Sequence, residues 1–518
     1  MARTAEAAEQ LRIAEDALAA RRFLEAAEIL RKLVRLDRES PRPQLMLAYA
    51  LWQAQKRDEA IQALRRLIER FPANADAWFN LGTFYRTERR LDEAVAAFKR
   101  AGELQPANAA AHINAAYTLV QAAKFEQAEA AVRSSLQRFP DEPDLLVNLA
   151  QIQRATDRSR EALSTMERCM TLAPQHPGYR VTHALVHLDL GEIGEGLAEL
   201  DAIIRDHPDF PDAHRGRAPL LLSMRQYAAG WSDYLWRPER ARWLAAEGLP
   251  FTPAPTSLDE IRGKPVLLVG EQGLGDVLFF LRFAALVARA AASIHLEVDP
   301  RLHAILPAHL LSPPPKGAIR VLAGDLGAMT GGDPAASPSL SLSPDAGRVA
   351  EARARLSRCA PPPYLGLTWQ GGIRWQDMAA PGVALFKRVP PDVLGKALAR
   401  TRGTLISVQR GSLPQDLASL ANAVGRPVHD FSDVNEDLPA AVALLSLLDD
   451  YVAVSNTNVH LNDALGKRTR VLVTTPAEWR WCLGGEHSPW FAHAALYRQE
   501  IDATWDRALA RLQQDLPY

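Results

Sequence analysis

The sequence predicts an α-helical repeat superhelix followed by a pair of doubly wound α/β domains, and three observations lead there. Prolines recur at Pro72, Pro106, Pro140, Pro174 and Pro208, each 34 residues after the last. The run KPVLLVG, Lys264 to Gly270, is a short continuous apolar stretch followed at once by a glycine-containing turn and an apolar segment. A second series of such units opens at Tyr364. A fixed period of this length marks a stack of helix pairs. Apolar runs of strand length, feeding turns and then helices, mark parallel strands buried on both faces.

Size and composition fit that division. A chain of 518 residues exceeds what one core holds, so two to four domains are expected. Apolar residues make up 47% and charged residues 23%, the balance of an ordinary globular protein. With 60 basic against 61 acidic side chains and a formal net charge of -1, no global field draws it to nucleic acid or to a membrane surface. The first residues, MARTAEAAEQ, lack an apolar core, so a secretory signal is not expected. The greasiest stretch, Val266 to Val298, is broken by Glu271, Asp276, Arg282 and Arg289, so no membrane span is expected. Cys169, Cys359 and Cys482 are odd in number and far apart, which argues against a disulfide framework or a zinc site and for a cytoplasmic setting.

The repeats come first in the chain. Ala26, Ala60, Ala94, Ala128 and Ala162, then Gly196, form a second ladder with the 34-residue spacing. The segment Ala75 to Asn108 carries Trp78, Leu81, Gly82, Tyr85, Ala94, Phe98, Ala101 and Pro106, the full tetratricopeptide pattern. Small residues let two antiparallel helices touch, aromatics fill the gap between them, and proline ends the second helix. Six repeats are readable between about residues 7 and 210, with a degenerate seventh from Pro211, and the whole helical region is assigned to residues 1–245. Stacked pairs bury one continuous core and leave a concave groove, so a protein or peptide partner is the expectation. Asn80, Asn114 and Asn148 share one repeat position. Amides there could grip a peptide backbone, since each offers donor and acceptor; asparagine could equally be a common filler of that position. The row resembles the asparagine ladder of the O-linked N-acetylglucosamine transferases, which implies an acceptor-binding role.

After the helices, GLPFTPAPTSLDE reads as a linker, placed at 246–262. Strands are expected at 264–270, 293–299 and 318–324, with a helix from about Val277 to Ala291, giving a first Rossmann-like domain over 263–355. The stretch from Gly332 to Gly347 is rich in Pro, Ser and Gly and reads as a surface loop. YLGLTWQGG, TLISVQRG, DYVAVSN and RVLVTT supply the strands of a second domain over 356–518. Two such halves suggest the bilobed GT-B glycosyltransferase architecture, with ligands at the carboxyl ends of the strands.

The residues that could carry chemistry lie at those strand ends. In GEQGLGD, Gly273 and Gly275 allow close backbone approach to a ligand, and Asp276 suits either an N-cap or a general base. The run LLVGEQGLGDVLFFLRFAALVA resembles the opening of bacterial heptosyltransferase-like glycosyltransferases, particularly those fused behind tetratricopeptide repeats. The resemblance implies that Asp276 is the base that takes the acceptor hydroxyl proton. VSNTNVHLNDALGK resembles the family's pyrophosphate loop, usually Asp-Thr-x-x-x-His-Leu; His460 and Leu461 match, while Ser455 replaces the Asp. That assigns Ser455, Asn456, Thr457, Asn458 and His460 to the donor, although His460 alone could be a structural histidine. WQGGIRW and the residues after it add Trp369, Gly371, Arg374 and Lys387, the last two as candidates for stabilising the leaving phosphate, and Gln409 completes the donor set. Glu478, Trp479 and Trp481 also look like family features, with ordinary packing the simpler reading for the tryptophans.

The resemblance implies an inverting transfer from a nucleotide sugar to a protein acceptor. Carboxylates at metal-ligand spacing are missing from the sequence, so neither a metal nor another cofactor is expected. The competing reading is a non-catalytic scaffold whose α/β half keeps the shape alone. A glycan or lipid acceptor stays open.

Overall fold

The computed structural model describes residues 2–252, 256–372, 387–500 and 504–516. The chain divides into two compact units, the first holding Met1–Val186 and the second starting at His187.

The first unit is a series of helix pairs. In the representative pair, Ala75–Thr87 and Leu91–Leu104, Asn74 caps the first helix by accepting from the backbone N–H of Ala77, the preferred residue type at that position. Gly82 faces Phe98 so closely that a Cβ would come within 2.8 Å of the ring. Ala26, Ala60, Ala94, Ala128 and Ala162 are all completely buried, as contact between paired helices requires. The helices Arg57–Arg70, Leu91–Leu104, Phe125–Arg138 and Ser159–Leu172 each end two residues before a proline of the ladder, where a ring without an N–H cannot continue the helix. The turn between paired helices places Arg21, Gln55, Arg89, Ala123 and Asp157 in the left-handed region, φ 55 to 63°. These too stand 34 residues apart, and the series continues with Gly191 and Arg225.

The second unit opens with helices Ile193–Asp206, Pro211–Ser223, Tyr227–Tyr234 and Pro238–Ala246. A first lobe follows: β1 (Pro265–Val269), β2 (Ser293–Glu297) and β3 (Ile319–Leu322), all parallel in the order β2-β1-β3. The helix expected from Val277 starts earlier and is broken, as Leu274–Phe280, a 3-10 turn at Leu281–Phe283, then Ala284–Ala288. The second lobe holds β4 (Tyr364–Thr368), the short antiparallel pair β5 (Gln370–Gly371) and β6 (Lys387–Arg388), then β7 (Thr404–Ser407), β8 (Val428–Asp430), β9 (Asp450–Val454), β10 (Thr469–Val473) and β11 (Ala494–Arg498). Its main sheet is parallel throughout, in the order β11-β10-β9-β4-β7-β8. Every residue of β9 and β10 is buried, as continuous apolar runs dictate.

The two lobes share one core. Trp231, from the segment that precedes the first lobe, packs edge-on against Phe280, Phe283, Trp479 and Trp490. Its indole N–H donates to the Gly332 carbonyl at 3.2 Å. Trp479 and Trp481 are thus packing residues, 8% and 1% exposed. The stretch from Gly332 to Gly347 departs from the surface loop that its composition predicts. Ser337 and Leu342 are buried, the Leu342 N–H donates to the Ala464 carbonyl at 2.9 Å, and the Ser339 hydroxyl donates to Asp463. The segment ties one lobe to the other.

Candidate functional site

The helix Leu274–Phe280 begins at Gly273, an N-cap in extended conformation, which places Asp276 in the first turn instead of at the cap. Its carboxylate is 35% exposed and accepts from Arg480 at 2.5 Å. Beside it, Gly275 lies over His460, where a Cβ would come within 3.0 Å of the imidazole. His460 is on the helix Thr457–Ala464 of the other lobe, so the two sequence motifs meet. The imidazole packs edge-on to Phe279 and Phe491. Burial, then the cationic Arg480 and Arg282, push its pKa well below the ordinary value, so the ring is neutral at physiological pH.

A second polar group sits around Glu478. It accepts from Lys387, from the Ser455 hydroxyl at 2.5 Å and from the Trp481 indole at 3.0 Å. Burial pushes the carboxyl up, but Lys387 and Arg480 outweigh it and hold the carboxyl at about 2. Lys387 also donates to the Ser455 carbonyl at 3.4 Å. Gly371 backs onto that carbonyl, since a Cβ there would approach it to 2.5 Å; only glycine fits. Lys387 is therefore a buried, paired cation, not an open one.

The start of the helix Thr457–Ala464 is occupied from within. The Asn456 side chain accepts from the N–H groups of Asn458 and Val459, which caps the helix with a side chain of its own. The Asn458 amide donates to Asn435 at 3.0 Å. Gln409 accepts from the N–H groups of Trp369 and Gln370 and donates to the carbonyls of Gln370 and Arg410, so its amide is fully engaged in fixing the end of β4. The Trp369 indole lies in the core, completely buried. Gln409 and Trp369 line a cavity of about 190 Å³ together with Gln370, Arg388, Gly411 and Asp416. Arg388 and Asp416 pair across it at 3.1 Å. Arg374 lies outside the described residues.

In the repeats, the asparagine row does not form an open ladder. Asn148 is 4% exposed and donates to the Ile113 carbonyl at 3.2 Å. Asn114 accepts from Arg86 at 2.5 Å and donates to the Ala110 carbonyl, and Asn80 is half-buried. Two of the three amides stitch neighbouring repeats together, because a buried amide must find its partners inside the protein.

Nothing in the sequence marks Arg480 as part of the site. It lies 204 residues from its partner Asp276, and an arginine among tryptophans carries no motif. The buried network of the first lobe was equally hidden: Arg237 pairs with Glu271 at 2.7 Å and Asp325 at 2.5 Å, and Arg240 pairs with Asp325 at 2.8 Å.

Tetratricopeptide-repeat models match residues 45–109, 181–230, 85–146 and 143–176. The N-terminal region is a tetratricopeptide protein-interaction scaffold. Protein FlbA of Caulobacter vibrioides is 25% identical over 384 residues, which cover 66% of this chain and 62% of FlbA. Among solved structures, pilF of Pseudomonas aeruginosa is 17% identical with a TM-score of 0.35, over 42% of this chain and 99% of that one. A tetratricopeptide repeat protein of Parabacteroides merdae is 12% identical with a TM-score of 0.41, over 48% and 94%. Among the described residues, no helix is long and apolar enough to cross a membrane.

Proposed function

We propose that the chain is a glycosyltransferase that moves a sugar from a nucleotide-sugar donor to a protein acceptor recruited by the repeats. One observation carries the reading: the half-open carboxylate of Asp276, on one lobe, stands beside His460 and Arg480 of the other. A sugar-accepting hydroxyl is a weak nucleophile, and a placed carboxylate removes its proton as the new bond forms. Direct displacement at the anomeric carbon then inverts its configuration. Arg480 supplies positive charge where the departing nucleoside diphosphate gains its own. No metal is needed for that step.

The proposal is tested by incubating the full chain with candidate acceptor protein and a panel of nucleotide sugars, read by intact mass. Asp276→Asn is expected to lower transfer at least about a hundredfold, the usual contribution of a general base. Transfer at the wild-type rate sinks the assignment.

A second reading has an observation of its own. Ser455 replaces the usual carboxylate of the phosphate loop, and Asn456, Gln409 and Glu478 are all engaged by protein groups. Those features suit a scaffold whose α/β half binds no donor. Calorimetry with the same panel decides, since a scaffold takes up no nucleotide sugar.

A further inference from the structure

Resting on the transferase reading, we propose that Arg480 is an exchange residue: it holds Asp276 in the free protein and releases it when the donor diphosphate takes its place. The asymmetry of the pair supports this. The Arg480 side chain is 8% exposed and that of Asp276 35%. A buried guanidinium cannot follow its partner into solvent, whereas the half-open carboxylate can be replaced by an incoming anion. The arginine is pinned on its other sides. Its guanidinium lies over the Phe279 ring at 4.7 Å and the Trp479 ring at 4.5 Å, and its carbonyl accepts from Ser488. Its Nε is buried with no hydrogen-bond partner among the described residues, so one donor of the fork is left over for a second acceptor.

The charges facing Arg480 point the same way. Glu478 is already matched by Lys387, His460 is neutral, and Arg282 is cationic with Asp463 nearby. Glu478 feels Arg480 through space, but among the described residues the carboxylate in direct contact with its guanidinium is Asp276. A carboxylate held this way has an oxygen engaged with Arg480 at 2.5 Å and is not free to meet an acceptor hydroxyl. In the transfer, the acceptor oxygen bonds to the anomeric carbon while the bond from that carbon to the phosphate oxygen breaks. The bonding pair leaves with the diphosphate and the acceptor proton moves to Asp276. The carboxylate loses its charge as the diphosphate gains one, and Arg480 keeps an anionic partner throughout. Donor binding thereby frees the base only when there is something to transfer.

The test is calorimetric titration of the full chain with inorganic pyrophosphate, for wild type, D276N, R480Q and the double variant. D276N removes the competing anion and is expected to tighten pyrophosphate binding about five- to tenfold, within the usual range of site-to-site coupling. R480Q is expected to weaken binding about tenfold or more, and in that background D276N should change nothing. Inorganic phosphate, titrated alongside, should bind about tenfold more weakly, since it lacks the second anionic group. Binding that D276N leaves unchanged or weakens overturns the exchange while the transferase reading stands. Equal affinity for phosphate and pyrophosphate shows that Arg480 takes any anion and overturns the donor assignment. No pyrophosphate uptake by any variant overturns both. D276N alters a half-exposed group, so its result decides even if R480Q fails to fold.

Discussion

The two units differ in how deep their deepest ion pairs lie. In the first, the described pairs are exposed or partly so: Arg42–Glu15 has side chains 67% and 42% exposed, and Arg158–Glu129, among the most covered, 31% and 20%. In the second, Arg470–Asp450 is 3% exposed on both sides, and Arg237–Asp325 5% and 10%. The repeats are held by shape, through buried alanines and glycines at helix contacts, and their charges decorate. The α/β unit builds charge into its interior, where each group has meaning only with its partner. Exposed pairs contribute about 0–1 kcal/mol, whereas breaking a buried pair from one side costs about 3–5 kcal/mol.

The largest expected effect tests that contrast directly. Asp325→Ala removes the carboxylate that the buried Arg237 and Arg240 share, and should destabilise the second unit by about 3–5 kcal/mol. Glu15→Ala in the repeats should cost under about 1 kcal/mol. Hydrogen exchange on the full chain, resolved by peptide, reads both. A loss below 1 kcal/mol for Asp325→Ala would break the comparison.

Acid should separate the units next. The Glu478 carboxyl is held at about 2 in the folded state, against roughly 4.3 in an unfolded chain. A folded value below the unfolded one means stability that is complete above about pH 4.3 and lost as pH falls toward 2, worth about 3 kcal/mol by linkage. His460 adds to the slope from higher pH. The unfolded chain takes its proton below about pH 6.5, and the folded chain refuses it. Glu478→Gln should flatten the lower part of the profile in the second unit. An unaltered profile would mean that the Lys387 pairing does not act on stability.

In the repeats the comparable lever is steric. A methyl at Gly82 would press on Phe98, which is completely buried and cannot swing aside. Gly82→Ala should therefore cost about 1–3 kcal/mol, as overpacking does, with no pH dependence between 4 and 7. A pH-dependent loss would show charge at work where shape is argued.

How much of this the sequence disclosed follows from the same contrast. Shape repeats, so Ala94, Phe98 and Pro106 were recognisable at their spacing, and β1, β4, β7, β9 and β10 stood out as short apolar runs. The short β8, with its exposed Asp430, gave no such run, and β11 opens on alanines that suit a helix as well as a strand; both were missed. Charge pairing over long separations leaves no periodic trace, which hid Arg480 from Asp276 and Arg237 from Asp325. Spacing put Asn114 and Asn148 on one repeat position but not their amides against Arg86 and Ile113. Composition misjudged Gly332 to Gly347, because Ser and Pro describe backbone habit and say nothing of what Ser339 and Leu342 touch.

The smallest expected effect concerns a ladder with no residue type in common. Arg21, Gln55, Arg89, Ala123 and Asp157 all turn with positive φ, and at Gly191 the series meets the residue that does so freely. A side chain with a Cβ pays about 1 kcal/mol for that conformation, and glycine recovers part of it after its greater unfolded-state entropy is counted. Ala123→Gly should thus stabilise the repeats by about 0.5–1 kcal/mol, and Gly191→Ala should cost a similar amount. Thermal unfolding of the two variants reads this as shifts of opposite sign. If Ala123→Gly instead destabilised the chain, the turn would be held by the Ala123 methyl and not merely tolerated, and steric control in the repeats would extend to their turns.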